Sequence, residues 1–456
     1  SLSAATVNAQ VPANSPFAGQ AAPPEGFSTG VEFDKVRIDA ALAAPTTAET
    51  MQLVPSRDTT GHGTAVTSVA AATGVLEGGR YAGMAPAADL LIVKLGFPSP
   101  DSFPRTTELM RALTYTVNKA VGLGMPVAIN LSFGNTYGPH DGSSILERFI
   151  DNITEIGRNI ICVGTGNEGA AGGHLAGRFG QIAAKNEMLT RKIELNIAPY
   201  QQTMNVQLWK EFSDQYQIEL ITPNGEREWI DTVVPGKKSV VVGETKVLIF
   251  IGEPSPYTIN QEIYFDFIPQ GSYVSEGIWT FAITPVYTIN GNYDFYLPSS
   301  GVLNAGTGFF TPTPEKSLTI PSTASKVITV GAYDVVYESY ADFSGRGYVL
   351  QSILDPQVSG GSLKPDLAAP GVNVQVILPG NQPGAVNGTS FATPFVTGAA
   401  ALLMEWGIVK ERDVYLYGEK IKAYLRKGAR TIRGEREYPN ARVGYGALCV
   451  EASIPK

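Results

Sequence analysis

Short, almost wholly apolar segments alternate with amphipathic helical patterns over the first part of the chain. Residues 88–95, 125–133 and 159–164 have the length and apolar content of buried strands. Between them, residues 106–123 and 143–156 repeat apolar side chains at the three- and four-residue spacing of a helix. Apolar strands joined by helices pack as a parallel sheet covered on both faces. The sequence therefore predicts an α/β fold.

The pattern changes near residue 190, where polar and apolar residues begin to alternate. Residues 192–197 are the first such segment, and others of similar length follow as far as residue 298. Turn sequences such as Pro223-Asn224-Gly225 separate them. Short alternating strands joined by turns predict an antiparallel β-sandwich inserted in the α/β domain. The expected organisation is an arm with a short helix at 1–54, an α/β domain at 55–189 and 299–456, and the sandwich at 190–298.

Charge and cysteine content exclude several kinds of function. The chain has 34 Lys and Arg against 42 Asp and Glu, and its net charge of −8 argues against a nucleic-acid partner. No uninterrupted apolar stretch reaches the roughly 18 residues of a membrane span. Cys162 and Cys449 are the only cysteines, which excludes a disulfide framework and a cysteine-ligated zinc cluster.

Three glycine-rich segments carry side chains that suit nucleophilic catalysis. Gly61-His62-Gly63-Thr64 places an imidazole at the start of a small-residue helix. Gly388-Thr389-Ser390 leads into an apolar helix, whose free N–H groups favour negative charge. Gly166-Asn167-Glu168-Gly169 follows the third strand, where an Asn amide can donate to an oxyanion. Taken singly, each also fits a simpler role: a satisfied His in a tight turn, a helix cap, and a left-handed Asn.

Together and in chain order, the three segments strongly resemble the subtilisin-like serine proteases, or subtilases. Further segments agree, among them residues 130–134, 364–371 and 444–446. The resemblance covers about residues 55–185 and 300–450. The long insert between Asn167 and Ser390 is similar to that of the clostridial germination-protease (Csp) branch, whose members carry a jelly-roll domain there. The resemblance implies a subtilisin-like parallel sheet and a jelly-roll-like sandwich.

The resemblance also assigns roles residue by residue. It makes His62 the general base, Ser390 the nucleophile that forms an acyl-enzyme, and Asn167 with the Ser390 N–H the oxyanion hole. It implies an endopeptidase that hydrolyses polypeptides without an organic cofactor. Many subtilases bind structural calcium, so the resemblance makes a structural calcium ion possible in this protein. The sequence contains no D-x-[DN]-x-[DN]-G calcium-binding loop. The resemblance implies two groups of substrate-binding residues. The first matches a strand that pairs with the substrate backbone and consists of Leu131, Ser132, Phe133 and Gly134. The second matches the wall of the pocket for the substrate residue before the scissile bond and consists of Val163, Gly164, Thr165 and Gly166.

The third member of the expected Ser-His-Asp triad is absent. Subtilases carry that Asp on an early apolar strand in a D-[ST]-G context, and the sequence contains no D-[ST]-G. Asp34 has a tolerable spacing to His62 and stays a candidate, but it and Asp39 lie in a helical pattern without a preceding apolar strand. Asp58, close before His62, is better placed to order the turn. Residues 1–32 also lack an apolar strand, and a central gap in a buried sheet leaves backbone groups unpaired.

Three interpretations of this gap follow. The Asp-bearing segment is a separate N-terminal fragment left bound after proteolytic nicking, or it has been removed, or the chain is a degenerate relative without turnover. A start at Ser1 rather than Met, with no visible signal peptide, favours nicking. The presence of His62, Asn167 and Ser390 together argues against degeneration.

Two alternative functions stay open at the level of the sequence. One is a pseudoprotease that acts as a binding or regulatory scaffold. The other is glycan binding on the sandwich by Trp209, Trp229 and Trp279, although tryptophans in a sandwich are more typical of its core. The family and the start of the chain together favour secretion or the cell or spore envelope of a bacterium.

Overall fold

The computed structural model describes residues 3–7, 23–95, 105–253, 256, 258–347 and 363–455. The helices of this part of the chain are α1 (Lys35–Ala43), α2 (Thr47–Leu53), α3 (His62–Ala71), α4 (Thr106–Gly122), α5 (Ile145–Ile153), α6 (Thr389–Met404), α7 (Gly418–Gly428) and α8 (Val450–Ser453).

The strands of the α/β part are β1 (Ser3–Val7), β2 (Val31–Phe33), β3 (Leu91–Leu95), β4 (Val127–Leu131), β5 (Asn159–Gly164), β17 (Ile328–Asp334), β18 (Ser339–Tyr340), β19 (Leu367–Pro370), β20 (Val374–Leu378) and β21 (Gln382–Val386). Between them in the chain lie β6 (His174–Arg178), β7 (Arg191–Ile197), β8 (Met204–Glu211), β9 (Gln215–Ile221), β10 (Arg227–Asp231), β11 (Gly236–Val242), β12 (Thr245–Ile251), β13 (Asn260–Pro269), β14 (Gly277–Tyr287), β15 (Asn292–Tyr296) and β16 (Gly308–Phe309).

The main sheet of the α/β part is parallel and covered by helices on both faces. Its strands follow the order β18-β17-β5-β4, with β19 also paired to β17, and only β18 runs antiparallel. Ile160 and Cys162 of β5 pack in the cluster that includes α6 and α7. Ile161 and Val163 of the same strand pack in the opposite cluster with α4 and α5. A parallel sheet with helices packed on both faces is the α/β architecture that the apolar strands predict.

A second, three-stranded sheet has the order β2-β1-β3. β1 pairs antiparallel with β2 and parallel with β3, with Ser3 opposite Leu91. The sequence predicts an arm here, and β1 corrects that expectation, although Ser3–Val7 is not the apolar strand that residues 1–32 lack. The reason is that Ser-Ala-Ala-Thr-Val has little apolar pattern of its own, so its partners on both sides, rather than its sequence, define it as a strand.

The inserted domain is a sandwich of two antiparallel sheets. One sheet has the order β10-β9-β14-β7-β16 and the other β11-β12-β13-β8-β15-β6. Their inner faces share one core, in which Phe265, Trp279 and Phe281 are completely buried. The sandwich extends from His174 to Phe309, beyond the range 190–298 expected from the sequence. The added strands, β6 and β16, are short and contain glycine, so no alternation of polar and apolar residues in the sequence indicates them.

The helix that carries Ser390, α6, is long and apolar. α6 and the π-helical turn after it, Thr389–Val409, are long and apolar enough to cross a membrane by length and composition alone. Of its apolar window, 67% is buried inside the protein, as expected for a core helix. Hydroxyls and glycines are dispersed among its apolar residues, and for this reason no uninterrupted apolar stretch marks it in the sequence.

Candidate active site

His62 is the first residue of α3, and the turn before it is built around Asp58. Gly61 adopts a φ of +79°, a conformation that favours glycine. One Asp58 oxygen accepts from the Gly61 N–H at 2.8 Å, and the other accepts from the Thr64 N–H at 2.8 Å. Burial alone would raise the pKa of Asp58, but these donors and the Thr64 and Thr60 groups lower it to about 2. Asp58 therefore orders the helix start, as predicted.

The imidazole of His62 is exposed and leans on the helix that carries Ser390. Its ring centroid lies 5.5 Å from that of Phe391, the residue after Ser390. Desolvation lowers the pKa of His62, and the negative charge of Asp58 opposes this shift. Both Asp58 oxygens are bonded to the turn instead of the ring. Within the described residues, the imidazole consequently has no carboxylate hydrogen-bonded to it.

Ser390 is the second residue of α6, half-buried, and its N–H belongs to the first turn, where no intrahelical carbonyl is available. Pro394 lies inside this helix, four residues after Ser390. Because proline has no N–H, the Ser390 carbonyl loses its usual helical donor. The Ser132 hydroxyl donates to this carbonyl at 2.7 Å instead. The helix interruption thereby ties the Ser390 turn to the end of β4.

Asn167 is exposed after β5, and one end of its amide is fixed. Its Oδ1 accepts from the Thr389 N–H at 3.1 Å and from the Thr389 hydroxyl at 3.2 Å. The Nδ2 group lies over Gly388, 3.6 Å from where a Cβ of that residue would stand. Among the described residues, no acceptor binds Nδ2. The amide donor is therefore held beside the Ser390 turn and left available for a ligand.

The predicted substrate-binding residues lie side by side at the carboxyl ends of β4 and β5. Leu131 and Val163 are partners in the parallel register, and both are buried. After them, Gly134 and Gly166 approach Thr319 so closely that a Cβ on either glycine would lie 2.3 Å from the threonine side chain. The remaining residues of the two groups follow the same strand ends: Ser132, Phe133, Gly164 and Thr165. The pairing of β4 with β5 brings the two groups side by side, and Ser132 contacts the Ser390 carbonyl.

The other aspartates near the start of the chain have structural roles. Asp34 is exposed and caps α1 by accepting from the Arg37 N–H at 3.0 Å. Asp39 forms an i,i+4 ion pair with Lys35 at 2.8 Å. Neither is placed as a partner of His62.

The tryptophans of the sandwich do not form one platform. Trp279 is completely buried, Trp209 is half-buried and hydrogen-bonded to Gln207, and Trp229 is 53% exposed. Stacking of a sugar needs an accessible ring face, and only Trp229 of the three offers much of one. This arrangement gives glycan binding little support.

Two supporting contacts of the site cannot be found in its motifs. Thr397 of α6 donates to Asn130 Oδ1 at 3.0 Å, and Asn130 Nδ2 donates to the Ser132 hydroxyl at 2.9 Å, which extends the link between α6 and β4. Gly398 lets α6 cross close to α3, because a Cβ there would lie 2.9 Å from the Ala70 carbonyl oxygen. A small residue in a helix is the only signal of that crossing in the sequence.

A cluster of buried charges surrounds Asp366, the residue before β19. Asp366 is 0% exposed and contacts Lys364 at 3.2 Å, Lys422 at 3.3 Å and Arg426. Burial alone would raise the pKa of Asp366, but the three cations hold it well below its usual range. Burial lowers the pKa of Lys364 to about 7. The motif at 364–371 therefore has a structural function, since it anchors the strand β19.

No cluster of three or more His, Cys, Asp or Glu side chains in the described ranges could hold a metal ion. The expectation that structural calcium is allowed stays a prediction. Both cysteines are free in the structure, and burial raises the pKa of Cys162 to about 12, so its thiol is not a nucleophile.

Comparison with known proteins gives matches that span most of the chain. A model of the subtilase family matches residues 29–205 and 290–446. The solved structure of the CspB protease of Clostridium perfringens is 32% identical, superposes with a TM-score of 0.83, and is matched over 93% of this chain and 85% of that chain.

Curated relatives match over shorter stretches. Serine protease AprX of Bacillus subtilis is 32% identical over 160 residues, which are 31% of this chain and 32% of AprX. Subtilisin BL of Lederbergia lenta is 32% identical over 137 residues, which are 30% of this chain and 41% of that protein. The chain thus spans less than half the length of these two relatives.

Proposed function

The chain belongs to the subtilase family, and from this premise we propose that it is a serine endopeptidase that cleaves polypeptides through Ser390. The resemblance to the Csp branch predicted from the insert is confirmed by the CspB structure. The observation that carries the proposal is the arrangement around Ser390. The Ser390 N–H lies in the first turn of α6, where it has no intrahelical acceptor. The free Asn167 amide lies beside this turn, and the His62 ring packs on the next residue, Phe391.

The chemical steps follow from this arrangement. His62 takes the proton of the Ser390 hydroxyl as the oxygen attacks the scissile carbonyl carbon. The carbonyl oxygen becomes negative and accepts from the Asn167 Nδ2 and the Ser390 N–H. The C–N bond then breaks, His62 returns the proton to the leaving amine, and an ester remains on Ser390. Water, deprotonated by His62, attacks the ester and releases the acid and the free Ser390 hydroxyl.

The ends of β4 and β5 suit an extended peptide. Residues 131–134 form a strand end whose backbone can pair with a substrate strand. Gly134 and Gly166 lie against the Thr319 side chain, which leaves no room for a side chain at either position. We place the residue before the cut between these strand ends, with the peptide backbone along residues 132–134.

The triad Asp is supplied, in this proposal, by a separate N-terminal fragment that adds a strand between β3 and β4. Within the described residues, β3 pairs only with β1, and β4 only with β5. Leu95 of β3 and Ile129 of β4 nevertheless pack on the same cluster around α4. A parallel strand between them would end at the same edge as β4 and β5, which is the edge where Ser132 and Asn167 lie.

Exposure at these two edges supports the same proposal. Ile92 of β3 is 37% exposed, and no residue of β3 is fully buried. In β4, only Leu131 is buried. All six residues of β5, which has neighbours on both sides, are buried. A strand with a buried neighbour on each side is the normal state in a parallel sheet, so β3 and β4 each lack one.

Active-serine labelling distinguishes this function from a pseudoprotease scaffold. We expect a fluorophosphonate probe to label the natural protein at Ser390, because only an activated hydroxyl reacts. Ser390→Ala should remove labelling and lower peptide hydrolysis about a million-fold. Ser239→Ala on the sandwich is the matched control and should change neither. A natural protein that is folded yet unlabelled, or Ser390→Ala turnover within tenfold of wild type, would support the scaffold instead.

We also propose that the protein acts outside the bacterial cytoplasm, in secreted form or at the cell or spore envelope. A relative matched over 26% of this chain is named a minor extracellular protease of Bacillus subtilis. Fractionation of cells and spores with an antibody to this chain tests the proposal, and signal confined to the cytoplasm would reject it.

A further inference from the structure

Two of the three histidines of the chain stack on one tyrosine where the sandwich meets the α/β domain. The Tyr296 ring lies 3.9 Å from the His140 ring at an interplanar angle of 10°, and 4.5 Å from the His174 ring at 21°. Tyr296 and His174 belong to the sandwich strands β15 and β6, whereas His140 belongs to the loop after β4. The stack therefore joins the inserted domain to the segment that leaves the candidate site.

His140 is held on three sides. It is 3% exposed, and its backbone has a φ of +53°, in the left-handed region. Its Nδ1 lies 2.6 Å from the Leu318 carbonyl oxygen, and its Nε2 lies 3.0 Å from the Thr136 carbonyl oxygen. In either neutral tautomer the ring donates to one of these carbonyls, and as an imidazolium it donates to both. Burial lowers the pKa of His140 to about 4, and the two carbonyls oppose that shift.

The two carbonyls belong to the backbone that borders the substrate-binding residues. Thr136 and Leu318 flank a bridge in which Asn135 and Ile320 exchange hydrogen bonds of 3.0 and 2.8 Å. Thr319, between Leu318 and Ile320, donates its N–H to the Thr165 carbonyl at 2.9 Å. Its side chain is the one that lies against Gly134 and Gly166. His140 thus connects the two segments that meet beneath the ends of β4 and β5.

The sandwich holds the same loop at further points. The Thr136 hydroxyl donates to the Leu297 carbonyl at 2.7 Å, and the Gly138 N–H donates to Gln207 Oε1 at 3.1 Å. Asn260 donates to Asp141 Oδ2 at 2.8 Å. The loop after β4 is therefore anchored to the six-stranded sheet on both sides of His140.

We propose that His140 is a positioning residue for extended peptide substrates, held by the sandwich through the Tyr296 stack, and that it fixes the backbone beyond Gly134. The proposal rests on the proposed peptidase function. It gives the inserted domain a role in substrate binding, because the sandwich supplies Tyr296 and the anchors of the loop. Substrates that extend along residues 132–134 depend on the hydrogen bonds of His140 to Thr136 and Leu318, which we call the His140 clamp. Substrates that occupy only the pocket for the residue before the scissile bond do not depend on it.

His140→Asn and His174→Asn form a matched pair for the test. Asn tolerates the left-handed conformation of residue 140 but is too short to reach both carbonyls. His174→Asn removes the other ring of the stack, together with its contacts to Asp294 Oδ1 at 2.9 Å and to the Thr313 carbonyl oxygen at 3.0 Å, and it leaves the contacts of His140 to Thr136 and Leu318 in place. The natural protein and both variants are assayed on a nitroanilide with four residues before the cut and on an ester with one.

His140→Asn should lower kcat/KM on the four-residue substrate about tenfold, mainly through KM, and change the ester reaction less than twofold. His174→Asn should change both less than twofold. Equal losses on the two substrates in His140→Asn would make that residue a general stability element and overturn the proposal. The same length-dependent loss in His174→Asn would also overturn it.

Hydrogen exchange supplies a measurement that needs no activity. The Asn135 and Ile320 amides should exchange at least tenfold faster in His140→Asn than in the natural protein, and at an unchanged rate in His174→Asn. Unchanged exchange in His140→Asn would reject the clamp. If the natural protein cleaves neither substrate, the proposed function fails, and the exchange rates still decide whether His140 positions this backbone.

Discussion

The sandwich and the α/β sheet that carries it differ in how completely their strands are covered. In the sandwich, the inner residues of strands such as β12 and β13 are buried in strict alternation, and its aromatic core is closed. In the α/β part, β5 is fully buried, but β3 has no buried residue and β4 has one. Among the described residues, the core of the sandwich is closed, whereas β3 and β4 each have a strand neighbour on one side only.

The difference follows from how each kind of sheet obtains its strands. In the described part of the sandwich, only three of the nine strand pairs join strands that are consecutive in the chain, but all eleven strands come from the single continuous stretch of residues 174–309. A parallel strand obtains its neighbour from a distant segment. The parallel sheet can therefore lack one strand while its helices and the rest of its core still assemble.

The largest expected effect tests the unpaired edges of β3 and β4 directly. Adding an N-terminal fragment with an apolar strand that ends in Asp should raise kcat/KM of the isolated chain about 10⁴-fold, because the Asp holds the His62 tautomer and stabilises the imidazolium. The melting temperature should rise with it, since the strand covers β3 and β4. Full activity of the isolated chain, lost in Asp34→Asn, would show that Asp34 completes the triad and that no fragment is needed.

A core substitution tests whether the sandwich is as complete as it looks. Trp279→Ala should cost about 3–5 kcal/mol of unfolding free energy, since it empties a fully buried site. Trp229→Ala is the matched control and should cost less than about 0.5 kcal/mol, because that ring is 53% exposed. Urea titration gives both values. Similar losses in the two variants would contradict a core centred on Trp279.

The free amide of Asn167 sets the next prediction. Asn167→Leu should lower kcat by about 100- to 1000-fold with little change in KM, because the lost donor acts on charge that exists only in the transition state. Steady-state kinetics on one peptide substrate measures both constants. A change confined to KM would make Asn167 a substrate-positioning residue instead.

The smallest effect concerns the Asp58 turn. The folded-state pKa of Asp58 is lowered to about 2, so its stabilising effect is present above the usual value of 3.8 and is lost as the pH falls through 2. Asp58→Asn should cost about 1 kcal/mol at pH 7, in the range of a lost helix cap, and the difference should shrink between pH 4 and pH 2. Thermal unfolding across this pH range checks the trend. A constant difference would show that the charge of Asp58 does not act through the turn.

Local patterns in the sequence predict the elements that build the site. The strand at 159–164 and the helix that starts at residue 106 match the structure at those bounds, since apolar spacing is a property of neighbours in the chain. The role of Asp58 could also be predicted, because it acts within the turn that contains it. The glycine-rich motifs place His62, Asn167 and Ser390 at element ends, where exposed side chains and free backbone groups occur.

Other parts of the site depend on segments that are far apart in sequence. The Ser132 hydroxyl replaces the donor that Pro394 removes, and Thr389 orients the Asn167 amide, yet neither pair is near in the chain. The same holds for His140 and His174 on Tyr296, whose shared stack has no signature in any motif.

The sequence by itself determined the α/β and sandwich classes, the order of the motifs and the absence of a D-[ST]-G, because all of these depend on residue type and short-range spacing. Only the tertiary structure decided that β3 and β4 each have one neighbour among the described strands and that Ser3–Val7 pairs with β3. It also decided that the sandwich forms hydrogen bonds with the loop after β4. These outcomes depend on which distant backbone groups meet, and that is set by the packing of the whole chain rather than by any local pattern.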